Sequence, residues 1–330
     1  MSGGSFSQGV GQWEGAAEVY DHEGRFAGWG HDTRTVLADD QAGRVTVDVR
    51  FDGPFSLAGT YTIADHGGFR TYEGPLNVGH AEALGDSVVA AHNYWPDLGL
   101  SQRFFLMVLP DGDHQLSLAL LSRGERLCWT VVGEYVRRSG PGPLPDDPGN
   151  QSTNQPQDSP AGPGDAAAMP DDPTVARGAN LLHRAGRWSG RLTSYDRQRE
   201  PTGTVDYTEA VDPAEAAGDS LTAGESGPAQ PTGQPFNVAV SGLPHCGDVA
   251  FRMLSDDCSA WTPSGDVVGS ATCSGGRAVS GQFHVWADDL RWWRREVAAR
   301  DGSVKAVVHS WYRGEEHLGF TCGALKFHGP

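Results

Sequence analysis

The segment RVTVDVRF alternates apolar and polar positions, with Val45, Val47, Val49 and Phe51 on one side. A period of two marks a strand with one buried face. FSLAGTYTI, DSVVAAHNYW, QRFFLMVL, HQLSLALL and RLCWTVVGEY continue the series, separated by turns rich in Gly, Asp or Pro. Helical periodicity is absent from these segments. The pattern predicts about nine or ten short strands in roughly 130 residues, an all-β unit of barrel or sandwich type. Asp111-Gly112 and Asp301-Gly302 lie between alternating runs, where tight hairpin turns are expected.

The series is written twice. GQWEGAAEVYD (11–21) and GRWSGRLTSYD (186–196) share Gly, Trp, Gly, Tyr and Asp at a spacing of 175. The closing hairpins, 110–135 and 300–325, match at a spacing of 190, Arg123-Gly124-Glu125 falling on Arg313-Gly314-Glu315. HNYWPD (92–97) aligns with FHVWAD (283–288), pairing Trp95 with Trp286, Asn93 with His284 and Asp97 with Asp288. The same alignment puts Arg103 opposite Arg294. Two antiparallel up-and-down barrels are therefore expected, at 1–138 and 180–330. Between them, residues 139–179 hold no aromatic residue and almost no large apolar one. Such composition cannot offset ordering entropy and reads as a disordered linker. Residues 211–235 read as a long loop inside the second unit.

Each unit opens on Gly-x-Trp-x-Gly, at Gly11-x-Trp13 and Gly186-x-Trp188. A Trp can plug one end of a barrel while the glycines let the chain bend around it. With the meander of strands and an Arg-bearing closing strand, this resembles the calycin superfamily of lipocalin-like barrels. The resemblance implies an Arg packed across the Trp, with Arg123, Arg126 and Arg313 as candidates. Without a signal peptide or a disulfide framework, the chain looks more like intracellular bacterial lipocalin-like proteins. Some of those are tandem barrels acting as cyclases or isomerases in natural-product pathways.

Composition narrows the partners. The net charge of −17 repels phosphate backbones, so nucleic acid is not an expected partner. No apolar run of about 18 residues suggests a membrane span. The N-terminal MSGGSFSQGVGQW has no secretion-signal pattern, and five cysteines without a CxxC pair suit a reducing cytoplasm. Of 25 basic Lys and Arg residues only Lys305 and Lys326 are lysines, a bias of GC-rich bacterial genomes. Nucleotide-binding, metalloprotease and nucleophile-elbow motifs are absent, and no two histidines stand two or four apart. No cofactor or metal is expected; the alternative is a haem held through a single His, for which no residue singles itself out.

Chemistry concentrates in FHVWADDLRWWRREV, 283–297. On a strand Trp292, Arg294 and Glu296 share one face, and Arg291, Trp293, Arg295 and Val297 the other. Three readings stand side by side. The two tryptophans pack on either side of the sheet while the arginines pair with Asp288, Asp289 or Glu296. Alternatively, Trp286, Trp292 and Trp293 hold a planar hydrophobic or aromatic ligand, with Asn93, Tyr94, Arg103 and Phe105 as the counterparts in the first unit. Or His284 or Asp288 moves a proton while Arg294 stabilises an enolate-like oxygen. The more polar second barrel is the expected site, the first being filled by Phe and Met. The function these readings lead to is a cofactor-free cyclase or isomerase acting on a polyketide-like molecule, or else a carrier that sequesters it. A third possibility is an interaction module with filled barrels.

Overall fold

The computed structural model describes residues 6–39, 42–66, 70–74, 76–138, 173, 180–214, 233–256, 258–263 and 265–329. Two closed barrels, each of ten antiparallel strands, follow one another. The first comprises β1 (Gly11–Asp21), β2 (Phe26–Asp39), β3 (Arg44–Asp52), β4 (Ser56–Asp65), β5 (Arg70–Glu73), β6 (Val78–Leu84), β7 (Val88–Trp95), β8 (Leu100–Val108), β9 (His114–Arg123) and β10 (Arg126–Arg137). The second comprises β11 (Gly186–Asp196), β12 (Pro201–Pro213), β13 (Gln234–Ser241), β14 (Val249–Ser255), β15 (Ser259–Trp261), β16 (Val267–Ser274), β17 (Ala278–Val285), β18 (Leu290–Ala298), β19 (Val304–Arg313) and β20 (Glu316–His328). Every neighbour in sequence is a neighbour in the sheet, and first pairs with last. The expected linker, 139–179, lies outside the described residues apart from position 173, as does 215–232 of the expected loop.

Closure brings β1 against β10, with Trp13 opposite Arg137. The backbones approach closely there: a Cβ on Gly15 would collide with the Glu134 carbonyl oxygen, and one on Gly190 would stand 2.6 Å from that of Ala324. This is why each Trp is followed by glycine two residues on. Trp13 is buried in the barrel end and donates its indole N–H to Gly9 O at 2.9 Å. The guanidinium over its ring, at 4.2 Å, belongs to Arg137. That corrects the expectation of Arg123 or Arg126. Those two pair with each other across the β9–β10 turn, at the end of strands whose opposite ends meet Trp13. Arg313 pairs with Glu316 in the equivalent turn. Around Trp188 the cations are Lys305 at 5.0 Å and Arg184 at 5.9 Å, with Phe327 packed on the ring.

The barrels dock through their outer faces. Tyr20, Val88, Phe105, Met107, Leu116, Leu118 and Val132 form one apolar cluster with Val297, Ala306, Val308 and Phe320 of the second barrel. Met107 and Phe105 are thus interface residues, and the first lumen is not filled by them as expected. At one edge of the contact, buried Arg277 reaches Glu18 at 3.1 Å and Glu134 at 3.3 Å. At another, Arg199 pairs with Glu82 at 2.5 Å. Two glycine turns let the barrels come together. Gly275, with φ +59°, sits under Tyr20 Oη, and Gly85, with φ +65°, sits under Tyr195 Oη; a Cβ at either position would collide with the hydroxyl.

Candidate functional site

Strand alternation sends Asp32, Arg34, Tyr61, Tyr72, Phe104 and Tyr135 into the first lumen, where they border two cavities of about 70 and 60 Å³. Arg34 Nε donates to Asp32 at 3.1 Å and Nη2 to Tyr135 Oη at 2.9 Å. Burial alone would lower the Arg34 pKa; the Asp32 carboxylate outweighs it and raises it. Burial pushes Tyr61 up to about 12. Spaces of this size admit a few waters. A drug-sized ligand takes about 300–1,000 Å³.

The second lumen holds charges that satisfy one another. Arg294 Nη2 donates to Glu209 at 2.8 and 2.9 Å, and its Nε to Glu296 at 2.6 Å. Lys305 Nζ donates to Glu209 at 2.8 Å and Glu296 at 2.7 Å. His309 Nε2 lies 3.3 Å from Glu296. Two carboxylates face two cations, so the buried charge cancels. Burial works to raise the Glu296 pKa, yet Arg294 and Lys305 hold it well below the ordinary range. Burial lowers His309. Above the cluster Trp292 and Trp311 stack at 5.5 Å, and Arg294 lies 4.7 Å over Trp292.

A third space lies between the barrels and measures about 500 Å³. From the first barrel, β7 supplies His92, β8 supplies Arg103 and Phe105, and β9 supplies Leu118 and Leu120. From the second, β18 supplies Trp293 and Arg295, β19 Tyr312 and β20 His317. Trp293 and Tyr312 pack at 5.1 Å. Arg295 stands 5.9 Å over the Phe105 ring. Burial, then Arg103, lowers His92; burial lowers His317, whose Nε2 is shielded from solvent without a hydrogen-bond partner.

The residues singled out in the sequence fall in four places. Trp292 and Arg294 point into the second lumen, and Asn93 into the first. Arg103, Phe105 and Trp293 line the space between the barrels. His284, Trp286, Asp288 and Tyr94 lie outside all three; His284 stacks on the exposed Trp286 at 4.2 Å and lies 3.3 Å from Asp289. Asp288 closes a short 3₁₀ turn, Trp286–Asp288, and its carbonyl accepts from Arg313. His284 and Arg294 therefore sit on opposite faces of the sheet and do not converge on one substrate. The matched strands explain the difference. β7 and β17, like β8 and β18, correspond at a spacing of 190, so Tyr94 matches His284 and Phe104 matches Arg294. The sequence alignment, one residue out, paired inward with outward positions. Glu209, Lys305 and His309 were not singled out, nor were Arg34, Arg295, Tyr312 and His317. Arg34 and Glu209 have a shared signal: both stand on the strand after the Gly-x-Trp motif, directly opposite Trp13 and Trp188.

Among the described residues no group of three or more His, Cys, Asp or Glu is placed to hold a metal ion. No helix among them is long and apolar enough to cross a membrane. No protein-family profile matches the chain, and no curated protein does. Among solved structures, a protein of unknown function from the DUF3598 family of Nostoc punctiforme PCC 73102 aligns over 98% of both chains. Its TM-score is 0.58 at 10% identity. This likeness shows the tandem-barrel fold. An S-type phycobiliprotein lyase from Guillardia theta aligns with 41% of this chain and 92% of its own, with TM-score 0.31 and 11% identity. That score is too low to support an argument.

Proposed function

We propose that the chain binds a hydrophobic or aromatic small molecule between its barrels. Size carries the reading: about 500 Å³ lies within the range of ligand cavities, whereas 70 and 60 Å³ fall far below it. The lining has the expected character, an apolar floor of Phe105, Leu118 and Leu120 with a few polar groups around it. The test is titration with N-phenyl-1-naphthylamine, followed by dye fluorescence. Gln282→Trp, which places a bulky side chain in the cavity wall, should abolish binding. Ala119→Leu, directed into the first lumen, should leave binding intact, with melting temperature as the control for folding. The opposite pattern would move the ligand inside the first barrel and defeat the reading.

A second reading, proton-transfer catalysis of the isomerase or cyclase kind, is favoured by one observation. Two cavity histidines, His92 and His317, are held below the ordinary 6.5 and so stand unprotonated at neutral pH. Both can accept a proton there, as can His80 and Glu82 of the same lining. The base-promoted ring opening of 5-nitrobenzisoxazole tests this. Its rate should rise with pH through a midpoint below 6.5 and fall about 10²–10⁴-fold in the catalytic His→Gln variant. Equal rates in wild type, His92→Gln and His317→Gln would leave binding alone.

A further inference from the structure

We infer that the space between the barrels is an anion site: it takes a carboxylate, sulfonate or phosphate carried on an aromatic body. The inference rests on the cavity being a binding site and adds the class of its ligand. Its basis is a contrast among arginines. Arg34 is paired with Asp32, Arg277 with Glu18 and Glu134, and Arg294 with Glu209 and Glu296. In each of these three a guanidinium drawn into protein has a carboxylate beside it; at the cavity the partly buried Arg295 and the exposed Arg103 have none. Among the described residues neither Arg103 nor Arg295 has an acidic group within ion-pair distance, in a chain with 42 acidic residues against 25 basic ones. The one carboxylate in the wall, Glu82, is engaged by Arg199.

The geometry divides the cavity in two. Arg103 and Phe105 are two residues apart on β8, so both project from its outer face. Arg295 reaches that same Phe105 ring from the other barrel. The two cations thus border one aromatic surface; burial lowers the Arg295 pKa, Glu82 works to raise it, and Arg103 adds to the lowering by like-charge repulsion. A shared anion would relieve that repulsion, since guanidinium forks match the oxygens of carboxylate, sulfonate and phosphate. Trp293 lies two residues from Arg295 on the same face of β18 and packs on Tyr312. These rings, with Leu118 and Leu120, form the surface for an aromatic body beside the acid group. His92, directly across from Arg103, adds an N–H at the rim.

Two dyes with one skeleton test this. 8-Anilinonaphthalene-1-sulfonate carries the anion, and N-phenyl-1-naphthylamine lacks it. The sulfonate should bind tighter by about tenfold to a hundredfold, as expected for charge-assisted hydrogen bonds. Arg103→Gln and Arg295→Gln should each reduce that preference while leaving the neutral dye unchanged. Arg126→Gln, an exposed charge outside the cavity, should not alter it. Equal affinity for both dyes, insensitive to the cavity arginines but abolished by Gln282→Trp, would overturn the anion assignment and leave the binding site standing. Affinity for both dyes unaffected by Gln282→Trp would overturn the site itself. Melting temperatures separate these outcomes from misfolding; Arg103 is exposed, so its variant keeps the test open if Arg295→Gln fails to fold.

Discussion

The two barrels fill the same framework in opposite ways. At matched positions the first places Phe104, Leu106, Gln115 and Ala119 where the second places Arg294, Glu296, Lys305 and His309. On the second strand of each barrel Arg34 stands where the other has Glu209. Among the described residues the first lumen holds the Asp32–Arg34 ion pair and voids of about 70 and 60 Å³. The second replaces apolar volume with four balanced charges beneath a tryptophan stack. A barrel interior therefore asks for occupied volume and cancelled charge, and it accepts hydrocarbon or a closed ionic network as the means. The four charges take up one another, while His309 Nδ1 and Trp292 Nε1 beside them are buried without a hydrogen-bond partner among the described residues.

The largest test of that contrast removes a cation. Arg294→Met leaves two buried carboxylates facing Lys305 alone and should cost about 3–5 kcal/mol, the usual penalty for breaking a buried pair. Phe104→Met, at the matched position, exchanges one apolar side chain for another and should cost less than about 1.5 kcal/mol. Chemical denaturation measures both, and equal losses would refute the contrast.

Acid should separate the barrels more gradually. In the fold Glu209 and Glu296 hold pKa values below the ordinary 4.5: burial works to raise them, and Arg294 and Lys305 outweigh it. As pH falls through 4.5 the unfolded chain takes up protons first, so the stability present above 4.5 is lost downward through the folded values. His309 is held below 6.5 by burial, so its neutral state resists protonation that the unfolded chain accepts. Stability of the second barrel should begin to fall near pH 6.5 and fall further below 4.5. Hydrogen exchange read barrel by barrel checks this. His309→Gln should remove the upper step, and a first barrel that opens earlier in acid would contradict it.

The smallest effect concerns docking. Gly314→Ala changes a left-handed turn position, φ +54°, with open space around it, and should cost about 1–2 kcal/mol from backbone strain. Gly275→Ala adds a collision with Tyr20 Oη across the interface. It should lower thermal stability more than Gly314→Ala does, and indistinguishable melting temperatures would mean that the turn yields freely.

The strands were legible because one-sided burial leaves a period of two, as in Val45, Val47, Val49 and Phe51. The repeat was legible because close approach forces Gly15 and Gly190 into place beside their tryptophans. The ionic cluster was not, since Glu209 and Arg294 are 85 residues apart and meet only when the barrel closes. Facing was lost to a one-residue alignment error, which exchanges lumen for exterior along a whole strand. One signal went unused. QRFFLMVL and HQLSLALL are apolar at consecutive positions, as a strand covered on both faces must be. In this chain one cover is the lumen and the other is the second barrel.

Tyr20 rests on Gly275, and Tyr195, its counterpart in the repeat, rests on Gly85, the counterpart of Gly275. One patch thus meets itself, as the halves of a homodimer do across a two-fold axis. A true homodimer must carry the same residue at both copies of every contact. Covalent joining lifts that requirement. Phe105 and Arg295 occupy equivalent positions, as do Arg103 and Trp293, yet each pair has diverged. The cavity can therefore present unlike walls, and the ligand proposed for it would meet a different surface on each side.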